Sequence, residues 1–314
     1  MHCTGCNNRL TWMSGTYDVV VIGGGPAGLA AAVWLARYRL RTCLLDAGNP
    51  RNASTEAVHG YLGLEDPSPE ELRAIGRAQA QSAGADIHDA VVEGVKGELD
   101  RFTVTTTEGD ELLARRVLFA TGLRDIIPEI PGLLDFYGSS IWHCPDCDGP
   151  GVEGLRVGVI GWGRQIAAFC MEMLTWTERL VILTHGHDPD LPASSREALD
   201  RFGIPVVTEP IQRIEGREGL VSRVVFRTGE MLSVDAMFFH IAYGPGCSIP
   251  ADLGCEARED GTLRVDEDFE TTVPGVFAAG DITPGSKLAI RAAADGTRAA
   301  IGIYRSLLPP ERRV

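Results

Sequence analysis

Two copies of one module constrain this 314-residue chain more than any other feature of its sequence. In the first copy, the apolar run 18–22 meets Gly23-Gly24-Gly25-Pro26-Ala27-Gly28 at once. A helical apolar stretch, 29–40, follows, and a second apolar run, 42–45, ends in Asp46 and Ala47. Strand, GxGxxG turn, helix, strand and acid in this order are the fingerprint of a βαβ dinucleotide-binding unit. Gly23 makes the tight turn, Gly25 lets the backbone approach a pyrophosphate, and Gly28 permits close helix–strand packing. Asp46 is placed to accept from ribose hydroxyls. The second copy is Val157-Gly158-Val159-Ile160-Gly161-Trp162-Gly163, a helix over 165–176 and a strand over 180–183. A repeat of this kind predicts an α/β fold with two Rossmann-like dinucleotide-binding domains.

Punctuation between the modules divides the chain. Ser68-Pro69-Glu70-Glu71 is a capping box with proline at the first helical position, opening a helix to about residue 82. Short alternating stretches over 86–116 predict a β meander, and the buried run 117–120 leads into Thr121-Gly122. Pro128 and Pro131 mark a linker, and Gly244-Pro245-Gly246 marks the way back. A hairpin around Gly229 lies between them. The predicted organisation is a polar tail over 1–16, one domain from 17–122 plus 246–314, and a second, 123–245, inserted into it. In the returning segment a short strand ends in Gly280-Asp281, and a helix over about 288–308 carries an apolar side of Ile290, Ala293, Ala294, Ile301 and Tyr304.

Charge and cysteine usage narrow the function. Lys plus Arg number 29 against 43 Asp plus Glu, a net −14. That sign argues against nucleic acid and anionic membranes as partners. Residues 1–17 lack the apolar core of a signal peptide, and no run approaches spanning length. The expectation is a cytoplasmic protein, in which the eight cysteines do not form a disulfide framework. Cys43 and Cys170 lie in apolar patterns and read as core residues. Cys3 and Cys6 form a CxxC on the polar leader and receive no role.

A second CxxC stands in a different setting: Trp142-His143-Cys144-Pro145-Asp146-Cys147-Asp148-Gly149. Two cysteines at this spacing can close a small disulfide or present thiol and thiolate side by side. A carboxylate directly after the second cysteine can carry the proton that disulfide exchange moves. Zinc would need two further ligands at compatible spacing, and no second CxxC lies nearby, so no metal is assigned. The pair reads as a redox dithiol.

With these residues in place, the chain from about Tyr17 to Leu308 resembles the low-molecular-weight thioredoxin reductases and their relatives. Gly23 to Gly28 with Asp46, Ala120-Thr121-Gly122, Cys144 to Asp148 and Gly280-Asp281 stand in that family's order. The resemblance implies FAD in the first domain and a pyridine-nucleotide-type inserted domain carrying the cysteines. It implies that Cys147 faces the flavin as charge-transfer partner, Cys144 attacks the substrate disulfide, and Asp148 donates the proton. Arg51, Asn52 and the His59-Gly60 segment would lie near the flavin, Val91 and Val92 near adenine, and Asp281 on the ribityl chain. It implies a homodimer acting on a thioredoxin-like protein or a small dithiol or disulfide.

The second module departs from the family pattern, with the first as internal control. Trp162 stands where the first module has Gly24, Ile166 where it has Gly28, and Thr184 where it has Asp46. His185-Gly186-His187-Asp188 occupies the stretch where the reductases carry arginines for the NADPH 2′-phosphate. Leu288-Ala289 replaces the arginine and glutamine that such reductases place over the flavin. These changes predict that NADPH is a poor reductant, with the groove plugged by Trp162 or taking another aromatic ligand such as a second flavin. Two kinds of relative fit: reductases fed by ferredoxin or reduced flavin, and dithiol oxidases that pass electrons to oxygen. Asp148 favours the first, and Lys287, Arg291, Arg298 and Arg305 are candidates for a basic docking patch. An ordinary NADPH reductase with a degenerate site and a non-catalytic redox sensor are the remaining alternatives.

Overall fold

A computed structural model describes residues 15–312. The leader cysteines Cys3 and Cys6 lie outside the described residues. In chain order the first elements are β1 (Tyr17–Ile22), α1 (Pro26–Arg37), β2 (Thr42–Asp46), α2 (Pro69–Ala83), β3 (Asp86–Asp89), β4 (Val92–Glu98), β5 (Arg101–Thr106) and β6 (Glu111–Phe119). Next come β7 (Leu123–Asp125), β8 (Ile141–Trp142), α3 (Pro145–Asp148), β9 (Val157–Gly161), α4 (Ile166–Met173), β10 (Leu180–Leu183), α5 (Ala193–Arg201) and β11 (Val206–Val207). The chain ends with β12 (Ile211–Arg217), β13 (Leu220–Phe226), β14 (Met231–Ser233), β15 (Ala236–His240), β16 (Tyr243–Pro245), α6 (Ile249–Asp252), β17 (Val276–Ala278) and α7 (Ala289–Leu307).

Two compact units result. The first holds residues through Ala53, Tyr61–Arg124 and Gly244 onward; the second holds Ser54–Gly60 and Asp125–Tyr243. The first unit is built on a sheet of order β3-β2-β1-β6-β5-β4, with β17 also against β6. Its β1, β2, β3, β6 and β17 run parallel, and β4, β5 and β6 form an antiparallel meander. Only part of the meander expected over 86–116 is one. Asp86–Asp89 pairs in parallel with β2 because α2 carries the chain across the sheet first.

The first unit's core lies on both sheet faces. On one, Val19, Val21, Leu44 and Leu118 pack against α1 and α7. On the other, Val20, Cys43, Phe102, Val117 and Phe119 form a second cluster. A strand buried on both faces reads as a continuous apolar run rather than an alternation, which is why β1 and the end of β6, 117–119, are legible in the sequence. The capping box forms as written: Glu71 N–H donates to Ser68 Oγ at 3.1 Å, and Ser68 N–H to Glu71 Oε2 at 2.8 Å. In α7 the buried stripe is Ala292, Gly296, Ala299, Ala300 and Ile303, whereas Ile290 stays 38% exposed. The expected apolar face is therefore out of phase with the buried one. Close approach to α1 selects small side chains, since a Cβ at Gly296 would lie 2.0 Å from the Ala27 carbonyl oxygen.

In the second unit a parallel sheet of order β11-β10-β9-β15-β8 carries α4 and α5, with a three-stranded antiparallel sheet, β12-β13-β14, alongside it in the chain. The repeat is visible in the registers: β1 pairs with β2 as Val19↔Thr42, and β9 with β10 as Val157↔Leu180. Cys170 is fully buried on α4 and Cys43 on β2, both as core residues. Among the described residues no helix is long and apolar enough to cross a membrane.

Candidate functional site

In the first unit the glycine turn delivers α1 with Pro26 in its first turn and Gly25 as N-cap. A Cβ at Gly28 would sit 1.9 Å from the Gly23 carbonyl oxygen, so only glycine lets the helix start this close to the strand. A Cβ at Gly24 would meet Asp46 Oδ2 at 2.1 Å, so the acid lies directly beneath the turn. Above Gly25 the space is open. Helix N–H groups, an open backbone and a carboxylate below it form a cradle for a dinucleotide diphosphate and its ribose.

Asp46 has partners that the sequence does not disclose. Its Oδ2 accepts from Arg73 at 2.7 Å and Arg77 at 3.0 Å, and its Oδ1 accepts from Gly48 N–H at 2.9 Å. Burial alone would raise its pKa, but the Gly48 bond and the two arginines hold the carboxyl below the ordinary value. A carboxylate offers about four lone-pair sites, so three bonds leave one for a ribose hydroxyl. Arg73 and Arg77 are four apart on α2 and so share a helix face, but 27 residues separate the first from Asp46. Removing the carboxylate leaves two guanidiniums, each about one-fifth exposed, without their shared anion. We expect Asp46→Ala to lower unfolding stability by about 2–4 kcal/mol as well as weakening FAD retention. Thermal melts of apoprotein and holoprotein read the two losses separately.

Other expected cofactor residues also gather in the first unit. Thr121 and Gly122 follow β6, and Thr121 Oγ1 is buried with no hydrogen-bond partner. An orphaned hydroxyl of this kind fits a ligand that supplies the partner. Gly280 and Asp281 form the short turn after β17, and Arg51 donates to Asp281 Oδ2 at 2.9 Å. Lys287 Nζ donates to the Asp281 and Thr283 carbonyls, both at 2.8 Å, fixing that turn. Leu288 and Ala289 are the N-cap and first residue of α7, Val92 opens β4, and exposed Ala47 and half-buried Asn52 lie in the loop after β2. The cradle, the acid and the orphaned hydroxyl together fit FAD.

His59 and Gly60 belong to the second unit. Residues Ser54–Gly60 pack with the second unit, where a Cβ at Gly138 would meet the Ser54 carbonyl oxygen at 1.7 Å. His59 thereby becomes the charge that acts on Asp148. No local signal in the sequence marks seven residues between β2 and α2 as belonging to the second unit.

Cys144 and Cys147 form a disulfide with Cα atoms 5.3 Å apart. Proline sets the first turn of α3, Cys144 is its N-cap, and Cys147 N–H donates to Cys144 Sγ at 3.2 Å. Asp148 follows as the last residue of that helix. Burial pushes its carboxyl up to about 6, with the His59 charge opposing the shift. A group in this range can take up and release a proton near neutrality. Because the folded value lies above the ordinary 3.8, the protonated acid stabilises the fold below about pH 4. That contribution is lost as pH rises through about 6. Asp148→Asn is therefore expected to flatten this dependence and to raise stability above pH 7 by roughly 1–3 kcal/mol. Urea melts across pH 4–8 measure it.

Residues 17–296 match the family described as Pyridine nucleotide-disulphide oxidoreductase. The chain belongs to this family. It is an FAD-dependent disulfide oxidoreductase of the thioredoxin reductase type, with the two-domain Rossmann-like fold that the repeat predicts. It is 30% identical to the thioredoxin reductase of Bacillus subtilis, over 90% of this chain and 92% of the relative. It is 29% identical to the thioredoxin reductase tcpT of Claviceps purpurea, over 85% and 87%. The crystal structure of HlmI superposes with a TM-score of 0.88 at 34% identity, covering 94% of this chain and 93% of that one.

The second module's turn is built differently from the first. Trp162 stacks on His187, with ring centroids 3.8 Å apart and planes 16° from parallel. Thr184 is fully buried, and its hydroxyl donates to the His187 carbonyl at 2.7 Å, fixing the residue whose ring meets the indole. Ile166 does not hold helix and strand apart as its size suggests. Its side chain is fully buried and packs on Gly161, where a Cβ would lie 2.5 Å from Ile166 Cδ1. The helix responds by starting later: α1 begins at Pro26, three residues after Gly23, and α4 at Ile166, five residues after Gly161. The two residues that open α1, Pro26 and Ala27, thus have counterparts in the second module, Arg164 and Gln165, that lie before the helix.

Proposed function

We propose that this enzyme exchanges electrons between FAD, held in the first module, and a substrate disulfide or dithiol through Cys144 and Cys147, with an electron donor other than NADPH. The Trp162–His187 stack carries that reading: where the first module has Gly24 lying directly on Asp46, the second has an indole stacked on an imidazole and no carboxylate. Thr184 and His185, which stand where a reader of the ribose or its phosphate would, hold backbone groups instead. The likeness to thioredoxin reductases supports a thioredoxin-like protein or a small disulfide as substrate; a homodimer is the working form that we propose with it.

FAD, when bound, supplies or receives the electron pair. The residues that would hold it are Gly23, Gly25, Pro26, Ala27, Gly28, Asp46, Thr121, Gly122, Gly280 and Asp281, with Arg51 as the counter-charge of Asp281. In the reducing direction the Cys144 thiolate attacks one sulfur of the substrate disulfide, forming a mixed disulfide and expelling one thiolate. Cys147 then attacks Cys144 Sγ, closing the internal disulfide and expelling the second thiolate. Two electrons pass to substrate, and Asp148 is placed beside the pair in the chain to supply a proton to a leaving thiolate.

Of the two non-nicotinamide donors, reduced flavin is favoured over ferredoxin, because the cations expected to form a docking patch on α7 are engaged. Arg291 pairs with Asp295 at 2.8 Å, Arg305 with Asp268 at 3.3 Å, and Lys287 with backbone carbonyls. Arg298 donates to the Glu267 carbonyl and lies over the Phe269 ring. An anaerobic titration tests the reading, following flavin absorbance as dithiothreitol, reduced flavin, reduced ferredoxin, NADH and NADPH are added in turn. Dithiol and reduced flavin should bleach the cofactor at stoichiometric amounts. Bleaching by stoichiometric NADPH would overturn it.

A further inference from the structure

The residue before the dithiol is held more firmly than the dithiol itself. His143 follows β8, which pairs with β15 as Ile141↔Met237 and Trp142↔Phe238. Its Nδ1 lies 3.1 Å from the Tyr137 hydroxyl, and its Nε2 lies 3.7 Å from Asp125 Oδ2. Rings of Tyr137 and Phe239 flank it at centroid distances of 6.1 and 6.0 Å. The His143 side chain is 18% exposed and that of Asp125 only 9%. A carboxylate this sheltered stands beside the ring nitrogen that can carry a proton towards it. With Nε2–H turned towards Asp125, Nδ1 is left to accept from the Tyr137 hydroxyl.

Cys144, one peptide bond further on, has little else to fix it once the disulfide opens. The helix it caps is four residues long and buries none of them. Two bonds within that turn accompany the disulfide: Cys147 N–H to Cys144 Sγ, and Asp148 N–H to the Cys144 carbonyl at 3.1 Å. Reduction cleaves the S–S bond, taking two electrons and two protons, and frees both side chains to rotate. Whether the thiols stay in reach then depends on the segment that enters the turn.

We propose, on the reading given above, that His143 is a positioning residue for the attacking thiol. Bonded to the Tyr137 hydroxyl and facing the Asp125 carboxylate, it keeps Cys144 in the geometry of the closed disulfide throughout the redox cycle. This restraint raises the effective concentration of one thiol at the other, and so favours the disulfide and makes the reduced pair the stronger reductant.

The test uses full-length holoenzyme equilibrated in dithiothreitol redox buffers and trapped with iodoacetamide, with reduced Cys144 and Cys147 counted by mass spectrometry. His143→Ala should shift the equilibrium about tenfold towards the dithiol, which is about 30 mV less negative for a two-electron couple. Tyr137→Phe, which removes one hydroxyl and keeps the ring, should move it in the same direction by a smaller amount. His143→Asn, whose side-chain oxygen can take the place of Nδ1 before Tyr137, should recover part of the shift. Flavin content and melting temperature should stay at wild-type values in Tyr137→Phe, separating the effect from loss of fold. Identical equilibria in wild type, His143→Ala and Tyr137→Phe would overturn the proposal. A wild-type pair that never cycles in these buffers would instead overturn the redox reading on which it stands.

Discussion

Cys147→Ser is expected to lower disulfide turnover by at least about 10⁴-fold, the scale on which loss of a residue that forms a covalent intermediate acts. A serine oxygen neither closes a disulfide nor leaves as a stable thiolate, so the second displacement has no nucleophile. Cys144→Ser should be equally inactive towards substrate, because the mixed disulfide cannot form. The two variants differ in what remains. Cys144→Ser keeps a lone thiol at Cys147, and, if that thiol is the charge-transfer partner that the family resemblance implies, should show a long-wavelength absorption band that deepens as the thiol ionises. Cys147→Ser should lack the band. Turnover of a small aromatic disulfide, with dithiothreitol-reduced enzyme and single-turnover mixing, reads the loss directly. Normal turnover in both variants would move the redox centre away from this pair. In either case the fold should persist, since no residue of α3 is fully buried or part of the hydrophobic clusters.

What the sequence discloses and what it hides follow from range. Gly28 is legible because a steric demand falls within five residues: its Cβ would strike the Gly23 carbonyl. The capping box is legible for the same reason, both its bonds spanning three residues. The α7 face is misjudged when apolar size is taken as the mark of burial. Close packing on α1 instead buries Gly296 and the alanines and leaves Ile290 outside. Asp46 stands out in the sequence but its arginines do not, since nothing local ties residues 73 and 77 to the end of β2. His143 shows in the sequence only as a neighbour of the dithiol; its partners Tyr137 and Asp125 acquire meaning once β7 and β8 are placed. Trp162 and His187 each stand out as departures, but 25 residues hide the fact that one lies on the other.

NADPH is expected to bind at least about a hundredfold more weakly than to a reductase whose second module matches its first. Each charge-assisted hydrogen bond missing at the 2′-phosphate costs about 1.5–3 kcal/mol, and two of them reach that factor at their lower bound. The turn is expected to weaken binding further. The two residues that open the helix in the first module have counterparts, Arg164 and Gln165, that lie outside α4, and Trp162 puts an indole where the first module has Gly24. The module itself stays folded because Val157, Val159, Ile166, Phe169 and Ile182 hold it without a ligand. Trp162→Gly alone should recover little, because Thr184 remains buried and bonded to the His187 carbonyl.

Rapid mixing of oxidised, FAD-loaded enzyme with micromolar NADPH under anaerobic conditions, followed at the flavin absorbance, tests this most directly. Persistence of the oxidised spectrum over seconds, followed by rapid bleaching on addition of dithiol to the same sample, is the predicted result. Full reduction of the flavin by NADPH within milliseconds would contradict it.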